Sequence, residues 1–370
     1  MREWYHSTGP LRVALDMTFP NRAAVRGTGS GVYAHALVRA LRTRDDVAVA
    51  TIAGAPGGGP LDTIGWLARG ARRTLIRSRP EVLHCPAFVT PWRSPAPFII
   101  TMHDAGAFRF PLDFNREWRA YNRFVLPALA RRASAVIAGT EAARADLINY
   151  YGLAPERIVV TSYGVGERYR RPPRPDVMSR LRASLANDRP LLLFCGGPSP
   201  RKNLDVALQA MAAAASGSAL AAARLAISGA SAEGYPAAVE LIRRLGLNER
   251  VTWLGRIPAE EMPELYAVAG ALVYPSIYEG FGLPPLEAMS IGTPVVASSI
   301  PPLREILGTA ALLVDPRDPD ALASALDTVL DQPEVRDRLA GRGKRRSAAY
   351  TWERCAAQTA EVYRKVVGCA

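Results

Sequence analysis

Cysteine is scarce in this chain. Its 370 residues hold four, at positions 85, 195, 355 and 369, and no two form a Cys-x-x-Cys pair. That argues against a disulfide framework or a sulfur-ligated zinc site, and leaves reduced cytosolic thiols as the expectation. Histidine is equally rare (6, 35, 84 and 103) and shows no metal-ligand spacing. No run of about 18 uncharged apolar residues is present to form a membrane-crossing helix. Residues 1–10 lack the apolar core of a signal peptide. Lysine is absent up to Asp176 and occurs three times after it. A cytoplasmic, folded enzyme-sized chain is therefore expected, long enough for two domains.

What is present is arginine, unevenly distributed. The formal net charge is +12. Residues 1–176 carry 25 Arg against 14 acidic residues, whereas residues 177–370 are nearly balanced. Short β-branched and apolar runs alternate with helical periodicity through both halves. The first half places strands near Leu11–Met17, Val47–Ala53, Glu81–Cys85, Phe98–His103, Ala133–Gly139 and Arg157–Ser162. The second places them near Pro190–Gly196, Arg224–Gly229, Val251–Leu254, Ala271–Tyr274, Pro294–Ala297 and Ala311–Val314. Alternation of this kind predicts an α/β fold: two doubly wound, Rossmann-like domains with parallel sheets covered on both faces. The proline-rich Arg170–Asp176 segment reads as the linker. The expected domains are 1–173, joined by a returning helix at 352–370, and 174–351. Such sheets bind ligands outside the carboxyl ends of their strands.

One segment concentrates chemistry. Strand Ala271–Tyr274 runs into Pro275-Ser276, then Glu279-Gly-Phe-Gly-Leu-Pro-Pro-Leu-Glu287 and a helix. A strand, a glycine turn and a helix start make an anion-receptive corner. Gly280 and Gly282 permit close backbone approach. Glu279 is placed in the loop and Glu287 in the first helical turn, two acceptors for several hydroxyls. As a bare pattern, the glycines could equally serve only a turn, and Glu287 only a helix start. A second segment, Gly197-Pro-Ser-Pro-Arg201-Lys202-Asn203, sets two cations after strand Pro190–Gly196. That suits a diphosphate, Arg as a fork of donors and Lys as a mobile point charge. Asp318-Pro-Asp320 resembles a metal-binding Asp-x-Asp, but it precedes a helical pattern at 321–330 and reads better as a helix cap. No metal is expected.

Taken together these strings resemble glycosyltransferase family 4, whose hallmark is Pro-Ser-x-x-Glu-Gly-Phe-Gly-Leu-Pro-x-x-Glu-Ala-Met. Here it stands as Pro275-Ser276, Glu279 to Pro284 and Glu287-Ala288-Met289, followed by Gly292-Thr-Pro-Val-Val-Ala297. The resemblance implies a GT-B fold and a retaining, metal-independent enzyme using a nucleotide-diphosphate sugar, GDP- or UDP-linked, with no other cofactor. It implies Glu279 against the sugar and its developing charge, Glu287 on the ribose, and the backbone of Gly280, Phe281, Gly282 and Leu283 at sugar and pyrophosphate. Arg201 and Lys202, with Gly197 beside them, would meet the departing diphosphate. In the first half it points to Gly31, in Gly27-Thr-Gly-Ser-Gly31, near the donor phosphate. It also points to His103, oriented by Asp104, near the donor sugar. His84 is a weaker candidate, as readily structural.

The implied reaction moves a hexose to a hydroxyl acceptor: a glycan, a lipid-linked species or a small molecule. A sugar-nucleotide epimerase-like relative without acceptor transfer is the alternative. The basic first half is assigned to the acceptor. Residues 64–77 form an amphipathic pattern, with Ile64, Leu67, Ala68, Ala71 and Leu75 on one face and Arg69, Arg72, Arg73 and Arg77 elsewhere. That pattern suits peripheral contact with an anionic inner membrane face, a phosphorylated acceptor, or simply a solvated basic surface. Nucleic acid is not expected as a partner, because the arginines lack aromatic interleaving.

Overall fold

Among the described residues, twelve short apolar runs become twelve strands in two parallel sheets. The computed structural model describes residues 9–54, 65–197 and 199–368. Readings placed on residues 1–8, Ile64 and Cys369 lie outside them. The first sheet holds β1 (Leu11–Asp16), β2 (Val47–Ile52), β3 (Val82–Cys85), β4 (Phe98–Thr101), β5 (Ala135–Ala138) and β6 (Ile158–Val160), in the order β2-β1-β3-β4-β5-β6. The second holds β7 (Leu191–Cys195), β8 (Arg224–Ser228), β9 (Val251–Gly255), β10 (Ala271–Tyr274), β11 (Val295–Ser298) and β12 (Leu312–Val314), in the order β12-β11-β10-β7-β8-β9. Every pairing is parallel. The central strands are buried along their whole length, as helices on both faces require. Strand order reverses between β1 and β3 in the first sheet and between β7 and β10 in the second. These are the switch points where such sheets open a crevice.

The chain divides into two compact units, residues 1–164 with 351–370, and residues 165–350. The passage between them therefore falls before the proline-rich segment, not within it. Residues 165–174 are already tied to the second unit. Ser290 Oγ donates to the Tyr169 carbonyl (2.9 Å), and Arg174 bonds to buried Glu264 through both its backbone N–H and its side chain (3.0 and 2.9 Å). Pro175 then opens the helix Pro175–Leu181 instead of breaking one. The alanine-rich stretch 204–223 forms two helices, Leu204–Ala212 and Ala219–Ala222, separated where Gly217 takes φ +84°.

The returning helix Trp352–Gly368 belongs to the first unit and is held there by a buried polar chain. Tyr363 OH meets His84 Nδ1 at 2.6 Å, His84 Nε2 meets Thr101 Oγ1 at 2.8 Å, and Thr101 Oγ1 meets Tyr33 OH at 3.1 Å. Burial, reinforced by nearby His103, pushes the His84 pKa down to about 3, so the ring is neutral. His84 thus joins the last helix to the sheet.

The amphipathic segment is helical across its described residues, and its facing is as expected. Leu67, Ala71 and Leu75 are buried, and Leu75 joins the core of the first unit. Arg69, Arg72, Arg73 and Arg77 are exposed. The apolar face is therefore spent on the protein's own core and is closed to insertion in a bilayer. The arginine face, with Ile76 beside it, meets solvent.

Candidate active site

The switch point of the second sheet brings the two chemistry-bearing loops together. Strands β7 and β10 are neighbours in register Leu192↔Ala271 to Phe194↔Val273, so the segments leaving their carboxyl ends lie side by side. Two bonds lace them, and a third ties the first segment to the one after β12. The Ile277 N–H donates to the Arg201 carbonyl (2.9 Å), and the Asn203 amide donates to the carbonyls of Pro275 (2.9 Å) and Pro316 (2.7 Å). Asn203 sits at φ +59°, a left-handed conformation that asparagine tolerates, which turns the chain into the helix Leu204–Ala212. Tyr235 clasps the loop from the other side. Its hydroxyl accepts from the Ser199 N–H and donates to the Gly197 carbonyl, each at 2.7 Å.

Between these loops lies a buried ionic cluster. Glu279 is 9 % exposed. Its Oε1 accepts from Lys202 Nζ at 2.6 Å and from Tyr274 OH at 2.7 Å, while Arg201 Nη1 lies 3.6 Å from Oε2. Lys202 Nζ also donates to Tyr274 OH at 3.1 Å. Burial alone would raise the Glu279 pKa. The charges of Lys202 and Arg201, with the Lys202 and Tyr274 hydrogen bonds, outweigh it and hold the carboxyl below its ordinary range. The site therefore keeps a fixed carboxylate against two cations in a water-poor corner.

Gly282 starts the helix Leu283–Ile291 at φ +111°, where an added Cβ would stand 2.8 Å from Leu303 Cδ2. Pro284 and Pro285 follow, without N–H groups. Of the four amides a helix start leaves unpaired, only those of Gly282 and Leu283 remain as donors. The helix begins earlier than expected, at Leu283, so Glu287 stands in the second turn and not the first. Its Oε2 accepts from Tyr266 OH at 3.0 Å. Burial raises its pKa to about 7, against the opposing hydrogen bonds from Tyr266 and Tyr169 and the Arg168 charge. A role limited to complementing the helix start is excluded by this position. Asp318 does cap a helix: its Oδ1 accepts from Ala321 N–H at 2.9 Å, at the start of Pro319–Asp331.

In the first unit, His103 is buried beyond the end of β4. Its Nδ1 meets Tyr163 OH at 2.7 Å and its Nε2 meets the Pro86 carbonyl at 3.2 Å. A carbonyl only accepts, so Nε2 carries the proton and Nδ1 accepts from Tyr163. Burial pushes the ring pKa down to about 4 despite the Pro86 bond, which keeps the imidazole neutral. Asp104 is not what orients it. Asp104 Oδ1 accepts from Gly106 N–H at 2.8 Å, and the ring is set by Tyr163 and Pro86 instead.

Gly31 lies inside the helix Gly29–Arg42, not in a loop. A Cβ there would stand 2.2 Å from the Val25 carbonyl oxygen and 2.7 Å from that of Arg26. Tight packing against the end of the short helix Ala23–Arg26 explains the glycine. Replacing Gly31 with Ala is expected to cost about 1–3 kcal/mol of stability, read as a lower urea midpoint with circular dichroism. An unchanged midpoint would remove the packing account.

Reading the sequence alone missed Tyr235, Tyr266, Tyr274 and Asn203, because the contacts of Tyr235, Tyr266 and Asn203, and that of Tyr274 to Lys202, span chain distances that no local pattern encodes. One faint signal existed for the partner of Tyr274: in a chain of 43 Arg and three Lys, a lysine beside the motif stands out.

Residues 179–346 match the family described as Glycosyl transferases group 1, and residues 27–167 match Glycosyltransferase Family 4. The chain is 30 % identical over 285 residues to an O-antigen chain mannosyltransferase B from Escherichia coli, covering 76 % of this chain and 74 % of that one. It is 37 % identical over 237 residues to a D-inositol 3-phosphate glycosyltransferase from Frankia alni, covering 62 % of this chain but only 58 % of that relative. Its fold superposes on a sucrose-phosphate synthase from Thermosynechococcus elongatus with a TM-score of 0.81 and 23 % identity, covering 97 % and 100 % of the two chains.

Proposed function

We infer that this chain, which belongs to the group 1 glycosyl transferases of family 4 and is a GT-B glycosyltransferase using a nucleotide sugar, moves a hexose to a hydroxyl acceptor with retention of configuration. One observation carries the reading: Glu279 is held ionised between Lys202 and Arg201 at the switch point of the second sheet. A carboxylate there stabilises positive charge growing at an anomeric carbon, and the two cations take up the charge of the departing diphosphate. They play the part that a divalent cation plays in other sugar transferases. The sugar–phosphate bond breaks, the acceptor oxygen bonds to the same face, and its proton passes to the leaving phosphate oxygen. A covalent route would need a second carboxylate close beneath the anomeric carbon, and none is assigned that place.

Glu287 is assigned to the ribose hydroxyls, and the amides of Gly282 and Leu283 to the pyrophosphate. His103 is kept as a sugar contact through Nε2–H, whose bond to Pro86 is the longer of its two. Gly31 is left without a ligand role. The first unit is assigned the acceptor, and its exposed arginines favour a phosphorylated one. The kinship to a glycosyltransferase named for an inositol phosphate supports that choice, and kinship to a mannosyltransferase supports mannose among GDP- or UDP-linked hexoses.

The deciding experiment follows nucleotide release from GDP-mannose and UDP-glucose, with and without phosphorylated and neutral polyol acceptors, and records the anomeric configuration of the product by NMR. Acceptor-dependent release of an α-linked product from an α-linked donor is expected. A new sugar nucleotide formed from donor alone would establish the epimerase-like alternative, and an inverted product would overturn retention.

Glu287 adds a pH dependence. Ribose hydroxyls donate to a carboxylate, so nucleotide binds the ionised form, and a pKa of about 7 leaves that form in the minority at lower pH. Affinity for GDP or UDP is expected to be about tenfold weaker at pH 6 than with the carboxylate fully ionised. In Glu287→Gln, calorimetry should show that part of the pH dependence gone. Identical profiles for the two proteins would remove Glu287 from the ribose.

A further inference from the structure

We propose that Tyr274 is a positioning residue for the transfer step, holding the Glu279 carboxylate in place while Lys202 turns to the donor diphosphate. The proposal rests on the roles given above to Glu279 and Lys202. Tyr274 is the last residue of β10 and only 1 % exposed. Its hydroxyl donates to Glu279 Oε1 (2.7 Å) and accepts from Lys202 Nζ (3.1 Å), and Lys202 donates to the same Oε1 (2.6 Å). The three groups close a triangle in which each touches the other two.

That triangle has an asymmetry. An incoming diphosphate competes with Glu279 for the ammonium of Lys202 and for the guanidinium of Arg201, because both are cations. The phenol is neutral, and a phosphate has far less pull on it. The charged and titratable groups facing this cluster are Lys202 and Arg201 from the segment after β7 and Tyr274 itself from β10, with the Cys195 thiol of β7 also close to the phenol. Of the donors to Glu279, only Tyr274 is expected to stay when the cations are drawn to the donor. A buried carboxylate stripped of its cations and given no other donor would take up a proton or rotate away. The phenol prevents both, because a bond to the ionised form favours that form.

The sign of the effect follows. Tyr274 is among the groups that lower the Glu279 pKa, so removing its hydroxyl moves that pKa up. Tyr274→Phe keeps the ring that Lys202 Nζ overlies at 5.1 Å from its centroid, so packing is preserved. The test measures kcat and donor KM of the full chain from pH 4 to 9, with GDP-mannose and UDP-glucose. A carboxylate NMR titration of Glu279 with and without saturating GDP or UDP accompanies it and needs no turnover. In Tyr274→Phe, kcat is expected to fall on the order of tenfold, with donor KM within about twofold. The acid limb of kcat and the Glu279 titration should both move up by about one pH unit. The displacement should be larger in the nucleotide-bound protein.

Unchanged kcat, or a fall in kcat with an unmoved Glu279 titration and a lowered melting temperature, would overturn the proposal. Glu279→Gln separates it from the reading beneath it. If Glu279→Gln turns over normally, the site assignment itself fails. If Glu279→Gln is inactive while Tyr274→Phe matches the parent, only the role of Tyr274 is lost.

Discussion

Glu279→Gln is expected to lower kcat by about 10²–10³-fold while nucleotide binding survives. The substitution keeps the volume of the side chain and an oxygen to accept from Tyr274, so the loops after β7 and β10 keep their lacing through Asn203 and Ile277. What disappears is the charge. A neutral amide cannot stabilise the positive character that grows at the anomeric carbon as the phosphate departs. The two cations behave in the opposite way. In the parent they are partly neutralised by Glu279, at 2.6 Å from Lys202 and 3.6 Å from Arg201. In the variant they face the diphosphate without that competitor. GDP or UDP should therefore bind equally or more tightly, and calorimetry alongside steady-state kinetics separates the two effects. Turnover equal to the parent would sink the assignment.

Lys202→Met should lose both abilities. With the ammonium gone, the leaving diphosphate keeps only Arg201 as a charged partner, and kcat is expected to drop by about 10²–10³-fold. Nucleoside diphosphate affinity should weaken by about tenfold or more, the scale of one charge-assisted hydrogen bond. There is a second consequence within the protein. Glu279 is buried, and the Lys202 charge is the largest influence opposing the upward push of that burial. Removing it sends the Glu279 pKa up, so residual activity should fall away at a higher pH than in the parent. Lys202→Arg should rescue poorly. A planar guanidinium fork does not reproduce the single ammonium that bonds both Tyr274 and Glu279. If Lys202→Met binds nucleotide normally and keeps its acid limb, the diphosphate does not use this lysine.

Only Lys202→Met is expected to weaken nucleotide affinity, while both variants slow transfer. A general loss of folding would weaken both together, so the pair is a sharper test than either alone.

How much of this was legible beforehand differs by kind of interaction. The strands were readable because each is a short apolar run bounded by turn residues, and a parallel sheet buried on both faces demands such runs. Strand β10 falls on its expected residues, and the other eleven lie within two residues of theirs at each end. The Asp318 cap was readable because a cap is a contact three residues long. Helix starts were harder. Glu287 was placed one turn early because Gly282 and two prolines set the true start, through a backbone conformation that residue type only permits. Asp104 was paired with His103 on the family's His-Asp pattern, in which the two are adjacent in sequence. Adjacent residues at a strand end point to opposite faces, and the partners of the imidazole came instead from Tyr163 and Pro86, 60 and 17 residues away. The amphipathic segment showed the same limit. Its periodicity gave the correct apolar face, but not what that face packs against.

The sequence by itself determined the fold class and the family, and singled out Arg201, Lys202, Glu279 and Glu287 as candidate site residues. Those properties live in local pattern: alternation, turn residues and a motif of fixed spacing. Tertiary structure decided their chemical state. The lowered pKa of Glu279 and the raised one of Glu287 follow from which side chains meet them in a water-poor corner: Lys202, Arg201 and Tyr274 at one, Tyr266, Tyr169 and Arg168 at the other. Electrostatic energy falls with distance and rises as water is excluded. Both quantities exist only once β7 and β10 lie side by side.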